Sequence, residues 1–299
     1  MTRRLALVVN PGARGKPAAA LARAETLARE HGWEVKLGRT DLRGHAFILA
    51  QEAVQQDVNL VAAVGGDGTV REVAAGVASS GVPMAIVAAG GANGSYRELY
   101  GANPWEDTFE GILRDPGRRA VDLLELQPTG EYGLLGFSAG WSAQVLDRAA
   151  LPGPPGPGRD ARAAAIAAAA PVRFPATIRA DGRLLADGDM GLVAIGGGRV
   201  WASGLTVFPS SLMDDGLLDV LVVRATDTAG FNEVLDAIIT GRHVEHPLVS
   251  RARAREVQLI APNGLTAEVD GEPWGRELYS LDIRCAAGQL LVAMPADSP

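Results

Sequence analysis

The stretch VAAVGGDGTVRE, residues 61–72, decides the fold. Val61–Val64 reads as a buried strand, and Val70, Val73, Ala74 and Val77 fall at i, i+3, i+4 and i+7, the spacing of an amphipathic helix. Between them Gly65, Gly66 and Gly68 surround one acid, Asp67, and Thr69 stands where the helix begins. Glycine allows close backbone approach, and the first N–H groups of a helix lack internal partners and sit at the positive end of its dipole. Such a turn holds an anion, and the Asp67 carboxylate within it suggests a nucleotide with its metal. A tight strand-to-helix connection without function is the plainer reading, but three glycines around an acid exceed what it needs. The loop lacks both the Lys-Ser/Thr ending of a Walker loop and the spacing of a dinucleotide fingerprint.

Outward from this turn, strands and helices alternate. Leu5–Val9, Glu34–Arg39, Leu60–Val64 and Pro83–Ala88 read as strands, and Pro17–His31, His45–Gln56 and Val70–Ser79 as helices. That rhythm predicts a Rossmann-like parallel α/β domain, with ligands at the carboxyl ends of its strands. Asn10, Asp67 and Asn93 each follow a strand and are expected on one rim. From about Asp122 the pattern becomes strand after strand: 120–127, 132–138, 176–180, 190–196, 216–223, 257–261 and 266–269. This predicts a β-rich sandwich domain. The expected division is 1–123, joined by a returning strand in 288–299, against 124–287. The Pro/Gly segment 151–160 reads as a surface loop, or a flap, ahead of an alanine-rich helix at 161–170.

Composition narrows the function. The chain has 299 residues, a formal net charge of −7, 21% charged and 5% aromatic residues. A basic surplus is missing, which argues against nucleic acid as a partner. One cysteine, Cys285, excludes an internal disulfide framework and a cysteine metal cluster and fits a reducing, cytoplasmic setting. The apolar run after Arg3-Arg4 ends at Asn10-Pro11, too short for a signal peptide, and no stretch is long enough for a membrane span. Membrane contact is therefore expected to be peripheral. The histidines show no metal spacing.

VVNPGARGK, VGGDGTVREV, IVAAGGANGSYREL, GFSAGWSAQV, VFPSSLMDDGLLDVLVV and AEVDGEPW, in that order, resemble the diacylglycerol kinase catalytic family, the soluble bacterial lipid kinases related to sphingosine kinases and NAD kinases. The resemblance implies ATP-dependent phosphorylation of a lipid hydroxyl with Mg²⁺, on diacylglycerol or a related alcohol at a membrane surface. It places the nucleotide phosphates on Gly65, Gly66, Asp67, Gly68 and Thr69, with Asn10, Gly91 and Asn93 beside them. Asp270 is implied as the general base and Glu272 as its support or a metal contact. Asp67 and Asp122 belong to the implied metal network. Asp215 with the carbonyls of Leu217 and Leu212 resembles a second, structural cation site. From local sequence alone, Asp270-Gly271 and Asp215-Gly216 read equally as turns.

Two departures bear on activity. Gly91 stands where the family carries threonine, and Gly94 where it carries an acid. A nucleotide-binding protein with little turnover is therefore the rival reading. An NAD kinase is weaker, because the Asn-Glu pair at 232–233 comes far after the loop. Trp141, Trp201 and Phe208 read as core before lipid cleft. Arg251, Arg253 and Arg255 read as a solvated strand edge before a headgroup patch, and an exposed edge strand could support a homodimer.

Overall fold

The computed structural model describes residues 3–150, 159–199 and 206–296. The chain divides into two compact units: residues up to Asp122 together with those from Ala287 onward, and Leu123–Ala286. Residues 151–158 of the Pro/Gly segment and Trp201 lie outside the described residues.

The first unit runs β1 (Arg3–Val9), α1 (Pro17–Glu30), β2 (Trp33–Arg39), α2 (His45–Gln55), β3 (Leu60–Gly65), α3 (Asp67–Val77), β4 (Met84–Ala88), α4 (Gly94–Tyr100) and α5 (Trp105–Arg114). A long strand, β5 (Pro116–Gln127), then carries the chain into the second unit. β1 pairs in parallel with β2 and β3, and β3 in parallel with β4, in the order β4-β3-β1-β2. Leu5–Val9 and Leu60–Gly65 are buried throughout, as unbroken apolar runs must be when helices cover both faces of a parallel sheet. On α1, Leu21, Ala24, Leu27 and Ala28 are buried, and on α3, Val70, Val73, Ala74 and Val77.

The second unit continues with β6 (Glu131–Gly133), β7 (Gly136–Gly140), α6 (Trp141–Ala150), α7 (Arg159–Ala169), β8 (Phe174–Ala180), β9 (Arg183–Gly196) and β10 (Leu218–Arg224). It closes with α8 (Thr228–Ile239), β11 (Val249–Ala254), β12 (Glu256–Val269) and β13 (Glu272–Pro295), whose last residues belong to the first unit. There Val292 pairs in parallel with Met84 of β4. Within the second unit the order β11-β10-β9-β7-β12-β13 is antiparallel, and β8 pairs with β9 and β12. The two-residue period of a strand splits β9 and β10 between two cores. Val193, Ile195, Val220 and Val222 pack with Phe137, Ile178 and Leu259, whereas Leu192, Ala194, Leu221 and Val223 pack with Trp141, Phe208 and α8. Trp141 and Phe208 are thus core residues. β11 ends the strand order, and Arg251 and Arg253 are exposed on it.

Candidate active site

Three loops of the first unit are stitched together at the carboxyl ends of β1, β3 and β4. The Asn10 N–H donates to the Val64 carbonyl at 3.0 Å, and its side-chain amide donates to the Thr69 hydroxyl at 3.3 Å. The Ala89 N–H donates to the Gly65 carbonyl at 2.9 Å. Glycine is required where these loops touch: a Cβ on Gly90 would lie 2.3 Å from Gly66 Cα, and one on Gly15 would lie 2.3 Å from the Ala89 carbonyl oxygen. No side chain caps α3 at Gly66, and the first helical bond, Val70 N–H to the Gly66 carbonyl, leaves the N–H groups of residues 67–69 ahead of it. Backbone this close, at an uncapped helix start, fits an anionic phosphate.

The side chains of this cradle hold its shape. Asp67 is half-buried at the first helical position and accepts the Ser95 N–H at 2.8 Å, tying α3 to α4. Asn93 adopts a left-handed φ of 52°, accepts the Gly90 N–H at 2.9 Å and donates to its carbonyl at 3.2 Å. Thr69 is buried, and its methyl and hydroxyl fold over Gly65. Gly91 is exposed. The structure therefore brings Asn10, Gly65, Gly66, Asp67, Gly68, Thr69 and Asn93 together on one rim. Gly15, Gly90 and Ser95 complete it and were missed, although the doubled glycine of AAGG and the glycine of GARG follow strands as Gly65-Gly66 does.

In the second unit Asp270 and Gly271 form a two-residue turn between β12 and β13, with φ of 52° and 79° and Val269 opposite Glu272. Positive φ at both positions is the signature of a type I′ hairpin. Asp270 therefore lies in the turn itself, and Glu272 opens the strand after it. The buried Asp270 carboxylate accepts the N–H groups of Leu134 at 2.8 Å, Leu135 at 2.7 Å and Gly136 at 2.9 Å, and its own N–H donates to the Gly136 carbonyl at 2.9 Å. Behind it lies an acid the sequence reading missed. Glu268 is buried, accepts the Gly271 N–H at 2.6 Å, and accepts the hydroxyl of Ser138, which is bonded in turn to Ser142. Its only signal was its position two residues before Asp270 on a strand.

The residues expected to contact metal have the following partners. Among the described residues no three His, Cys, Asp or Glu side chains gather to hold an ion. Asp122 is buried on β5, and its Oδ1 accepts the Gly288 N–H at 2.7 Å. Asp215 Oδ1 accepts the Leu217 N–H at 3.1 Å, and its Oδ2 takes the guanidinium of Arg253. Leu212 is exposed. Beside this pair, burial pushes the Asp219 carboxyl above its usual range, while the Ser211 hydroxyl and Arg253 pull it down. Asp215 is thus engaged in an ion pair with Arg253. At the cradle, the chain offers Asp67 as one carboxylate, which fits Mg²⁺ carried by a nucleotide, since Mg²⁺ binds through one or two carboxylates, phosphates and waters.

Comparison with known proteins identifies relatives of this chain. Residues 4–126 match the diacylglycerol kinase catalytic domain, and residues 156–293 match the YegS C-terminal NAD kinase beta sandwich-like domain. A Pseudomonas syringae pv. syringae protein named "Probable lipid kinase YegS-like" is 31% identical over 283 residues, covering 91% of this chain and 87% of its own length. The chain belongs to the diacylglycerol kinase catalytic family. Another family member, a diacylglycerol kinase of Mycobacterium tuberculosis, is 27% identical over 75% of this chain and 74% of its own. The crystal structure of a diacylglycerol kinase from Bacillus anthracis str. Sterne shares the fold, with a TM-score of 0.72 at 19% identity over 99% of this chain and 97% of that one. No helix among the described residues is long and apolar enough to cross a membrane.

Proposed function

We propose that this chain is an ATP-dependent lipid kinase that transfers a γ-phosphoryl group to the hydroxyl of diacylglycerol or a related lipid alcohol. The cradle at residues 65–69 carries the reading: three loops held at backbone contact around an uncapped helix start. In this reading, the N–H groups of residues 67–69 bind phosphate oxygens in a Rossmann-like nucleotide site, and Asn10 and Asn93 keep the loops closed around them. Mg²⁺ supplies charge neutralisation on the phosphates, with Asp67 as its protein contact. The acceptor oxygen forms its bond to phosphorus as the bond to the leaving ADP breaks, and its proton passes to the Asp270 carboxylate. Three backbone donors fix the plane of that carboxylate. The names of the relatives support a kinase acting on lipid. The acceptor reaches the protein from a membrane surface by peripheral contact.

One observation favours a second reading, a nucleotide-binding protein with little turnover. The Asp270 carboxylate is taken up in tying its turn to residues 134–136 through three N–H bonds, with glycine at positions 91 and 94 beside the cradle. The deciding experiment offers the purified protein labelled ATP and Mg²⁺ with vesicles containing diacylglycerol, with sphingosine, and with NAD, alongside D270N. Phosphorylated lipid that disappears in a folded D270N establishes the kinase. Nucleotide binding with no product on any acceptor refutes it in favour of the second reading, and product on NAD alone reassigns the enzyme.

A further inference from the structure

The acid expected to hold a structural cation faces a cation that the chain itself supplies. Arg253 on β11 lies directly opposite Asp219 on β10 in the antiparallel register. Its Nη2 donates to Asp215 Oδ2, and its Nε lies 3.6 Å from Asp219 Oδ1. The remaining oxygen of Asp215 closes an Asx turn onto the Leu217 N–H. A guanidinium suits this place: it is planar, charged at every relevant pH, and presents neighbouring N–H groups to two acids at once. Its removal would leave Asp215 and Asp219 facing each other, with Asp219 Oδ2 already buried without a partner. A divalent cation would need oxygens where the guanidinium now sits.

We propose that Arg253 replaces a structural divalent cation in this chain, clamping the loop that enters β10 onto β11, so that this part of the β-rich unit keeps its shape without metal. The claim is independent of the kinase reading, because it concerns the folding of one pair of strands and needs no substrate.

Hydrogen exchange of the full-length protein, followed over peptides covering residues 206–224 and 249–254, tests it. Wild-type exchange at these peptides stays the same after EDTA treatment and in millimolar Mg²⁺ or Ca²⁺ at matched ionic strength. R253Q exchanges about tenfold faster there, the size of a coupling within one salt-bridge network. D215N produces a similar change, and the double variant D215N/R253Q adds little to either. R253K, which keeps the charge but loses the fork, falls between R253Q and wild type. Should R253Q fail to fold, D215N and R253K carry the test. Faster exchange of the wild type in EDTA, restored by Mg²⁺ and absent in D215N, would show a bound cation and overturn the proposal. So would additive effects of D215N and R253Q, or exchange in R253Q equal to wild type.

Discussion

Gly90→Ala puts the cradle to its hardest test, because the change adds one methyl group at the point of closest backbone contact. The new Cβ would lie 2.3 Å from Gly66 Cα, 2.9 Å from Asn93 Oδ1 and 3.1 Å from Gly66 N. Ordinary van der Waals contact begins at 3.4 Å, so the loops after β3 and β4 must separate by about 1.1 Å. The obstacle is backbone and cannot swing aside. Overpacking of this kind costs about 1–3 kcal/mol in stability. The larger effect falls on the ligand, since the N–H groups of residues 67–69 are aimed by the contact with Gly90. A displacement of about 1 Å in a binding constellation costs on the order of 100-fold, or about 2.7 kcal/mol. Isothermal titration with ATP and Mg²⁺ reads the loss, and a thermal melt reads the stability. Gly91→Ala is the internal control, because its Cβ would meet Arg14 Cβ only at 4.0 Å, and it should bind as wild type does. A folded G90A that binds ATP normally, or a G91A that fails as badly, would refute the cradle.

Further consequences can be measured on the same protein. Gly91→Thr places its Cβ in that same open position and returns a hydroxyl beside the loop, so ATP affinity should rise by a few-fold in titration, roughly one hydrogen bond. Glu268→Ala leaves the part-buried Gly271 N–H and the buried Ser138 hydroxyl without this acceptor, and denaturant unfolding should show a loss of about 1–3 kcal/mol. Glu268→Gln retains an acceptor oxygen and should lose less. Asp270→Asn turns an NH₂ group toward backbone N–H donors, so it should lower the melting temperature as well as abolish lipid product. Loss of product without loss of stability would argue against the three N–H bonds as the anchor of the turn.

The parallel half of the fold was readable because burial on both faces leaves a direct trace. Leu5–Val9 and Leu60–Val64 are unbroken apolar runs, and the buried residues of α1 and α3 recur at helical spacing. The same trace was present and overlooked for α5 and α8. Phe109, Ile112 and Leu113 are spaced for a helix, and so are Phe231, Val234, Leu235 and Ile238, where the Asp227 side chain accepts the Gly230 N–H at 2.8 Å as a cap. α3 begins at Asp67 rather than Val70, because the first turn of a helix need not be apolar. Other features had no local signal. Asp270 meets Leu134 and Leu135, and Asp215 meets Arg253, across separations that only the pairing of strands brings together. The arginines of β11 were read as a solvated edge because alternation shows which face a residue takes but not which acid stands opposite. Asp270-Gly271 left two readings open, and the structure shows the hairpin turn.

The acids of this chain separate by what they are bonded to, and that separation bears on how a metal could enter. Asp122, Glu268 and Asp270 are buried and accept backbone N–H groups of neighbouring strands and turns. Asp215 is paired to Arg253. Asp67 differs: it is half-buried, stands at an uncapped helix start, and accepts the Ser95 N–H through Oδ1. A carboxylate oxygen that accepts one N–H keeps acceptor capacity, and its partner oxygen adds more. Asp67 thus orients a loop, and in the proposed kinase it also touches a nucleotide-borne cation. Asp122→Asn and Asp67→Asn should therefore fail in different ways. The first should lower the melting temperature through the lost bond to the Gly288 N–H, with ATP affinity in Mg²⁺ little changed. The second should weaken ATP binding in Mg²⁺ far more than binding of ATP in EDTA, because the lost charge faces the cation. Equal losses for Asp67→Asn with and without Mg²⁺ would reduce Asp67 to a scaffold for Ser95.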